Sequence, residues 1–273
     1  MSVRVHSVES RKGPASVIRD LRKGLDHGPL WRSFAWDEIQ NRYRRSAVGI
    51  AWIGLSYLFF VLVIVIFFRG LAQADTQGYL YHVAVGYAAF TFMMGNITDG
   101  CEVFRTARTW IKSTSLPYSI YIYKSISRSL FTFALHLVAG LVVMICFGWR
   151  PSASILLTIP AIAIFLINAV WVQLFFGLLA TRFNDIVHLV TTITRVLFFT
   201  TPIIWTIDQR TGLVRDLAMI NPLTHFIEIF RAPLIGSTIM PQSWPIVLAL
   251  TALGWVAAII VASAMTRRLP FWL

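Results

Sequence analysis

The sequence predicts an all-α membrane protein with six transmembrane helices, an N-terminal cytoplasmic interfacial helix and an outer-side re-entrant amphipathic helix. Three observations carry that prediction. Only 13% of the 273 residues are charged and 57% are hydrophobic, whereas a soluble domain carries about 25% charged residues. Apolar runs recur at bilayer-spanning length, and the basic residues cluster in alternate connecting segments. Together these exclude a soluble enzyme, a disordered chain and a disulfide scaffold.

A spanning helix needs roughly 20 mostly apolar residues, because the hydrocarbon core is about 30 Å thick and the rise about 1.5 Å per residue. Residues 49–68, 80–97, 126–147, 153–180, 186–207 and 244–264 meet that test. The fourth run is the longest, and a kink at Pro160 or a tilt accommodates it. Lipid offers the backbone no hydrogen bonds, so each crossing is predicted to be helical.

The chain therefore divides into a cytoplasmic region at 1–48, which includes the interfacial helix, and a six-helix domain at 49–273. Ten basic residues lie in the first part: Arg4, Arg11, Lys12, Arg19, Arg22, Lys23, Arg32, Arg42, Arg44 and Arg45. Arg105, Arg108, Lys112, Lys124, Arg128, Arg182, Arg267 and Arg268 fall on the same predicted side. Arg69, Arg150, Arg210, Arg215 and Arg231 fall on the other, and Arg195 lies within the fifth run. The positive-inside rule puts both termini in the cytoplasm, with the chain in the cell's inner (plasma) membrane. This distribution accounts for the net charge of +12 without a nucleic-acid partner. No cleavable signal sequence is expected, since the first apolar run follows 48 mostly polar residues. Cys101 falls near the cytoplasmic end of the second run and Cys146 near the outer end of the third, so no intrachain disulfide is expected.

The chain has no G-x-x-x-x-G-K-[ST], G-x-S-x-G, H-E-x-x-H or C-x-x-C motif. It is not expected to be an enzyme or to hold a cofactor. His82, His136 and His188 share no ligand spacing and are expected to make helix–helix hydrogen bonds. The six runs carry no interior Asp or Glu, the usual proton or sodium relay of gradient-driven transporters. Energy for uphill transport is then expected from another subunit.

Four features carry more specific information. Residues 31–45 place Trp31, Ala35, Ile39 and Tyr43 four apart, as in an interfacial helix. This helix suits a membrane anchor with a solvated basic face; alternatively Arg42, Arg44 and Arg45 grip phosphate on a lipid-linked substrate. Residues 98–116 place Phe104, Arg108 and Ile111 at helical spacing before Pro117. An ordinary loop or a partner-docking helix with exposed Phe104 and Trp110 fits them.

Residues 221–236 combine an N-cap at Asn221, Pro222 in the first turn and Gly236 at the end. Leu223, Phe226, Ile227, Phe230 and Leu234 form one face, with His225, Glu228 and Arg231 off it. Too short and too charged to cross, this helix is expected to be interfacial or re-entrant. Lastly, Tyr57, Phe60, Ile64 and Phe67 form one stripe, and Tyr87, Phe90 and Met94 another. Helix packing explains such stripes; so does a path for sugars, whose apolar faces stack on aromatic rings. Arg195 should face a partner, a headgroup or water.

These features resemble the membrane subunit of type-2 ABC exporters of polysaccharides, the O-antigen and teichoic-acid permeases. The resemblance rests on Arg42-Tyr43-Arg44-Arg45-Ser46-Ala47-Val48-Gly49-Ile50-Ala51-Trp52, on Asn221-Pro222-Leu223-Thr224 and on Phe230-Arg231. Val48 and Ala51 stand where the family often has Leu. The resemblance implies a homodimer and a cytoplasmic P-loop ATPase that binds ATP and magnesium. It also implies a channel for a lipid-linked polysaccharide. On that basis Arg42, Arg44 and Arg45 lie near the headgroup and Phe104, Arg105, Arg108 and Ile111 couple to the ATPase, while the aromatic stripes offer Tyr57, Phe60, Tyr87 and Phe90 as the residues that line the path.

Three other readings are open from the sequence. A type-2 ABC permease for a drug or small lipid differs only in lacking a use for the arginine motif and the aromatic stripes. A solute channel needs a polar ladder, of which Asn96, Asn168, Gln173 and Arg195 are the candidates. A membrane enzyme acting on lipid-linked sugars needs a carboxylate pair, and Asp99 with Glu102 is the candidate.

Overall fold

The computed structural model describes residues 13–68, 70 and 75–273. Arg4, His6, Arg11, Lys12 and Arg69 lie outside the described residues. The regular elements are all helical: α1 (Pro14–Asp26), α2 (Gly28–Tyr43), α3 (Ala51–Phe68), α4 (Thr76–Thr106), α5 (Arg108–Ser113), α6 (Ser119–Cys146), α7 (Thr158–Arg182), α8 (Asp185–Thr200), α9 (Leu213–Ile220), α10 (Pro222–Ile235), α11 (Ser243–Met265) and α12 (Leu269–Trp272). Among the described residues, four helices are long and apolar enough to cross a membrane: Ala51–Phe68, Ser119–Cys146, Ala153–Arg182 and Ser243–Trp272. The chain is a multi-pass membrane protein.

α4 is the axis of the bundle. It packs against α3, α6, α7, α8 and α10, and most of its middle is buried. Neighbouring helices rather than lipid surround it, which is why it tolerates Asn96 and Asp99 along its length. Its tightest neighbour is α7. A β-carbon on Gly177 would lie 2.8 Å from the Val103 side chain and 3.0 Å from the Gly100 carbonyl. Small residues let two helix backbones approach, the usual basis of helix association in lipid.

The two ends of the bundle are built differently. One end gathers α1, α2, α5, α12 and the beginning of α6. Asp20 and Leu21 of α1 bond the first turns of α6, and Arg182 of α7 stacks on Trp272 of α12 at 5.3 Å. α1 was not foreseen. Its polar composition conceals a stripe of Val17, Leu21 and Gly24 that packs inward. α2 matches the expected 31–45 helix but begins at Gly28 and ends at Tyr43. Its Ala35–Ile39 stripe is buried, and the helix runs along α6 rather than offering that face to lipid. Trp31 meets Tyr123 at 6.0 Å and Trp36 meets Phe131 edge-on at 5.6 Å.

The other end is organised around α10. Asn221 is its N-cap, accepting from the Leu223 N–H at 3.0 Å, and Gly236 closes it in the left-handed conformation. Both boundaries are those expected from the sequence. The expected one-sided amphipathic helix is instead encased: Leu223 through Leu234 are all buried, with His225, Glu228 and Arg231 among them. The polar residues are accommodated by partners. Arg231 pairs with Glu228 at 3.0 Å, donates to the Pro202 carbonyl at 2.7 Å and reaches His82 Nε2 at 3.1 Å. The last-turn carbonyls of Leu234 and Pro233 accept from Trp149 and Ser154 of the α6–α7 connection.

Candidate functional site

The middle of the bundle carries an open aromatic groove of about 480 Å³ between α3, α4 and α8. Phe60 from α3, Tyr87 and Phe90 from α4, and Arg195, Phe198 and Phe199 from α8 line it. Phe60 lies 4.4 Å from Tyr87 with the rings nearly parallel, and Phe198 meets Phe60, Tyr87 and Phe90 at 5.9, 6.1 and 5.5 Å. The period of the two helices explains the arrangement: Tyr57 and Phe60 project from one side of α3, Tyr87 and Phe90 from one side of α4. Phe198 is the hub of the cluster and was missed in the sequence. Its spacing of three from Arg195, which puts both on one helix face, is the signal that could have found it.

Tyr57 stands behind this wall rather than in it. It is 3% exposed, stacks on Tyr87 and His136 at 5.8 and 4.7 Å, and donates its hydroxyl to the Ala84 carbonyl at 2.7 Å. Of the four expected lining residues, Phe60, Tyr87 and Phe90 face the groove.

A charged network lies between α2, α4 and α6. Glu38 of α2 holds Lys124 at 2.8 Å and also pairs with Arg128; Arg128 in turn pairs with Asp99 at 2.8 Å, which accepts from Ser129 at 3.1 Å. Burial pushes the Glu38 carboxyl up, but the hydrogen bond from Lys124 and the charges of Arg128 and Lys124 outweigh it and hold the group below the usual range. Arg42 joins loosely, 4.0 Å from Glu38, and borders a cavity of about 190 Å³ with Asp99, Arg128 and His136. Arg44 and Arg45 follow the end of α2, are exposed and are not among the residues that line the aromatic groove. The network escaped the sequence reading because its members come from three separate helices.

The expected coupling residues separate into two sets. Phe104 ends α4 fully buried, against Tyr118 at 6.4 Å, which corrects the expectation that it is exposed. Ile111 is buried as well. Arg108 and Trp110 are exposed on α5, and Arg105 donates to Asn184 at 2.7 Å while pairing with Glu102 at 3.5 Å. The helix breaks at Ala107, so α5 is a separate six-residue turn.

Asp99 pairs with Arg128 and Glu102 with Arg105, so each of these carboxylates has a basic partner. Gln173 donates to Asn96 and Asn168 to Thr251, each at 2.8 Å, so these members of the polar ladder are joined helix to helix. His82 bonds the Trp205 carbonyl after α8 and meets Arg231 of α10, His136 meets Thr91 of α4, and His188 is exposed.

The chain belongs to the ABC-2 type transporter family, whose profile matches residues 29–235. It is similar to the O-antigen export system permease protein RfbA of Myxococcus xanthus, with 22% identity over 79% of this chain and 84% of that protein. It is also similar to two proteins of that name from Klebsiella pneumoniae. One is 25% identical over 71% of this chain and 75% of its own length; the other is 23% identical over 74% and 78%. Family membership implies an ATPase partner, with this chain as the permease subunit.

Proposed function

We propose that the chain is the permease of an ATP-driven exporter that moves a lipid-linked polysaccharide of the O-antigen kind out of the cytoplasm. The aromatic groove carries this reading. Stacked rings at mid-depth give sugars apolar faces to slide along without the tight hydrogen bonds that would trap them. The names of the three relatives support it further.

In this reading the chain crosses the inner membrane six times, by α3, α4, α6, α7, α8 and α11, with both termini in the cytoplasm. α4, encased by protein, needs no apolar exterior, and α8 at 16 residues covers about 24 Å. α10 is the re-entrant helix of the outer side. Residues 1–48 form the cytoplasmic region with its interfacial helix, and residues 49–273 the permease domain. Arg42, Arg44 and Arg45 receive the phosphate headgroup as the substrate enters. A P-loop ATPase, which alone binds ATP and magnesium, docks on α5 through Arg108 and Trp110. Buried Phe104 and Ile111 carry its movement into α4 and α6. Two copies of the chain face each other across their grooves and enclose the path.

A second reading, export of a drug or small lipid, draws support from an apolar cavity of about 220 Å³ among Phe92, Phe165, Trp171 and Phe226. The deciding experiment uses a strain lacking the chain, scored for surface polysaccharide with and without the gene. Restored surface glycan supports polysaccharide export. Normal surface glycan in the deletion strain, with altered drug resistance or lipid asymmetry instead, overturns it in favour of the second reading.

A further inference from the structure

The aromatic groove holds one charge that the protein does not answer. Arg195, eleventh of the sixteen residues of α8, lines the groove and is exposed. Among the described residues it has no carboxylate partner and stacks on no ring. Two arginines packed inside the bundle behave differently: Arg128 has Glu38 and Asp99, and Arg231 has Glu228. An arginine at membrane depth is unfavourable unless it meets water or an anion, so an unpaired one facing a groove marks a functional site.

The neighbouring side chains sharpen this. Thr91, Thr98 and Thr194 also line the groove, but their hydroxyls donate to carbonyls of their own helices. Arg195 is left as the charged donor, placed beside rings that suit a sugar face. A guanidinium offers paired N–H groups that match the two oxygens of a carboxylate or phosphate.

We propose that Arg195 is an anion subsite within the translocation groove, taking a carboxylate or phosphate of the substrate as it passes. The proposal rests on the reading of the groove as a substrate path. It adds that the substrate presents an oxyanion at mid-membrane, either on an acidic sugar or on the phosphate of its lipid carrier.

The test uses the chain with its ATPase in phosphatidylcholine nanodiscs. Binding of fluorescent tetragalacturonate, neutral maltotetraose and a polyprenyl diphosphate is compared for the wild type, Arg195→Gln and Arg195→Lys. The expected result is about tenfold tighter binding of an anionic probe than of maltotetraose, lost in Arg195→Gln and largely kept in Arg195→Lys. Loss confined to tetragalacturonate assigns the site to an acidic sugar, and loss confined to the diphosphate assigns it to the carrier; loss on both supports the subsite for either source. A wild type with no anionic preference, or a preference that Arg195→Gln leaves intact, overturns the subsite. Failure of both glycans to bind, with an Arg195-dependent diphosphate preference intact, sinks the glycan path and leaves the anion subsite standing.

Discussion

Asp20 and Ser119, on different helices, are joined twice: the Ser119 N–H donates to Asp20 Oδ2 at 2.9 Å, and its hydroxyl to the Asp20 carbonyl at 2.7 Å. The Tyr118 N–H donates to the other carboxylate oxygen at 3.0 Å. α6 has no capping side chain of its own, so a residue nearly a hundred positions earlier satisfies its first donors. Asp20→Ala is expected to lower stability by about 1 kcal/mol, with Asp20→Asn retaining part of it. Thermal unfolding of the detergent-solubilised protein measures this. An unchanged transition in Asp20→Ala would show that the cap contributes nothing.

Glu38 gives the fold a dependence on acidity. Its carboxyl titrates below its ordinary value in the folded state, so as pH falls the unfolded chain takes up the proton first. Its stabilising contribution is complete above the ordinary value of 4.5 and disappears as pH drops through the lower folded value. Burial lifts Asp20 in the opposite direction, so wild type must be compared with Glu38→Gln. Their stability difference should be constant from about pH 8 to about pH 5 and shrink below that. A difference that grows in acid contradicts the assignment.

Lining and backing aromatics should part company. Phe198→Ala and Tyr87→Ala open the groove wall and are expected to lower export severalfold at unchanged protein level. Tyr57→Phe removes only the bond to the Ala84 carbonyl, with an expected loss of about 1 kcal/mol and normal export. Surface glycan blots alongside thermal unfolding separate the two; equal export defects in all three would show that Tyr57 belongs to the path.

The junction of α4 and α5 offers a similar contrast. Phe104→Ala empties a fully buried site, and about 3–5 kcal/mol of stability should go with it. Trp110→Ala, on a residue 52% exposed, should leave the unfolding transition within about 0.5 kcal/mol while weakening the stimulation of the ATPase. A variant with full ATPase stimulation removes Trp110 from the docking surface.

The Arg231–Glu228 pair is buried enough for its partners to depend on each other. Arg231→Ala leaves a carboxylate without a counter-charge inside α10, with an expected loss of about 3–5 kcal/mol. The double variant Arg231→Met, Glu228→Leu should be closer to wild type than the single one. A double variant worse than the single would mean that the contacts to Pro202 and His82 outweigh the pair.

Local signals were read well. Asn221 and Gly236 bound α10 because capping is a property of a few adjacent residues, and the α2 stripe follows from a period of four. The aromatic stripes reached the groove for the same reason, through Phe60, Tyr87 and Phe90. Tertiary pairing was not legible. Nothing in the order of residues announces that Glu38 meets Lys124, or that α10 would be enclosed on every side. α1 was hidden by composition, since five charged residues mask the narrow stripe of Val17, Leu21 and Gly24. Six runs meet the length test in the sequence, but four of the described helices are long and apolar enough to cross, since α4 carries polar residues that its protein neighbours cover and α8 is short.

The cap on α6 also bears on where this protein can be cut. The family profile begins at residue 29, three positions past the last residue of α1, yet Asp20 lies before that point. Homology and folding therefore draw the boundary in different places. A chain begun at residue 29 keeps the groove, the network of Glu38 and all of α10, but leaves the entry to α6 with two bare amides. The stretch ahead of the profile match is, in this protein, part of the scaffold.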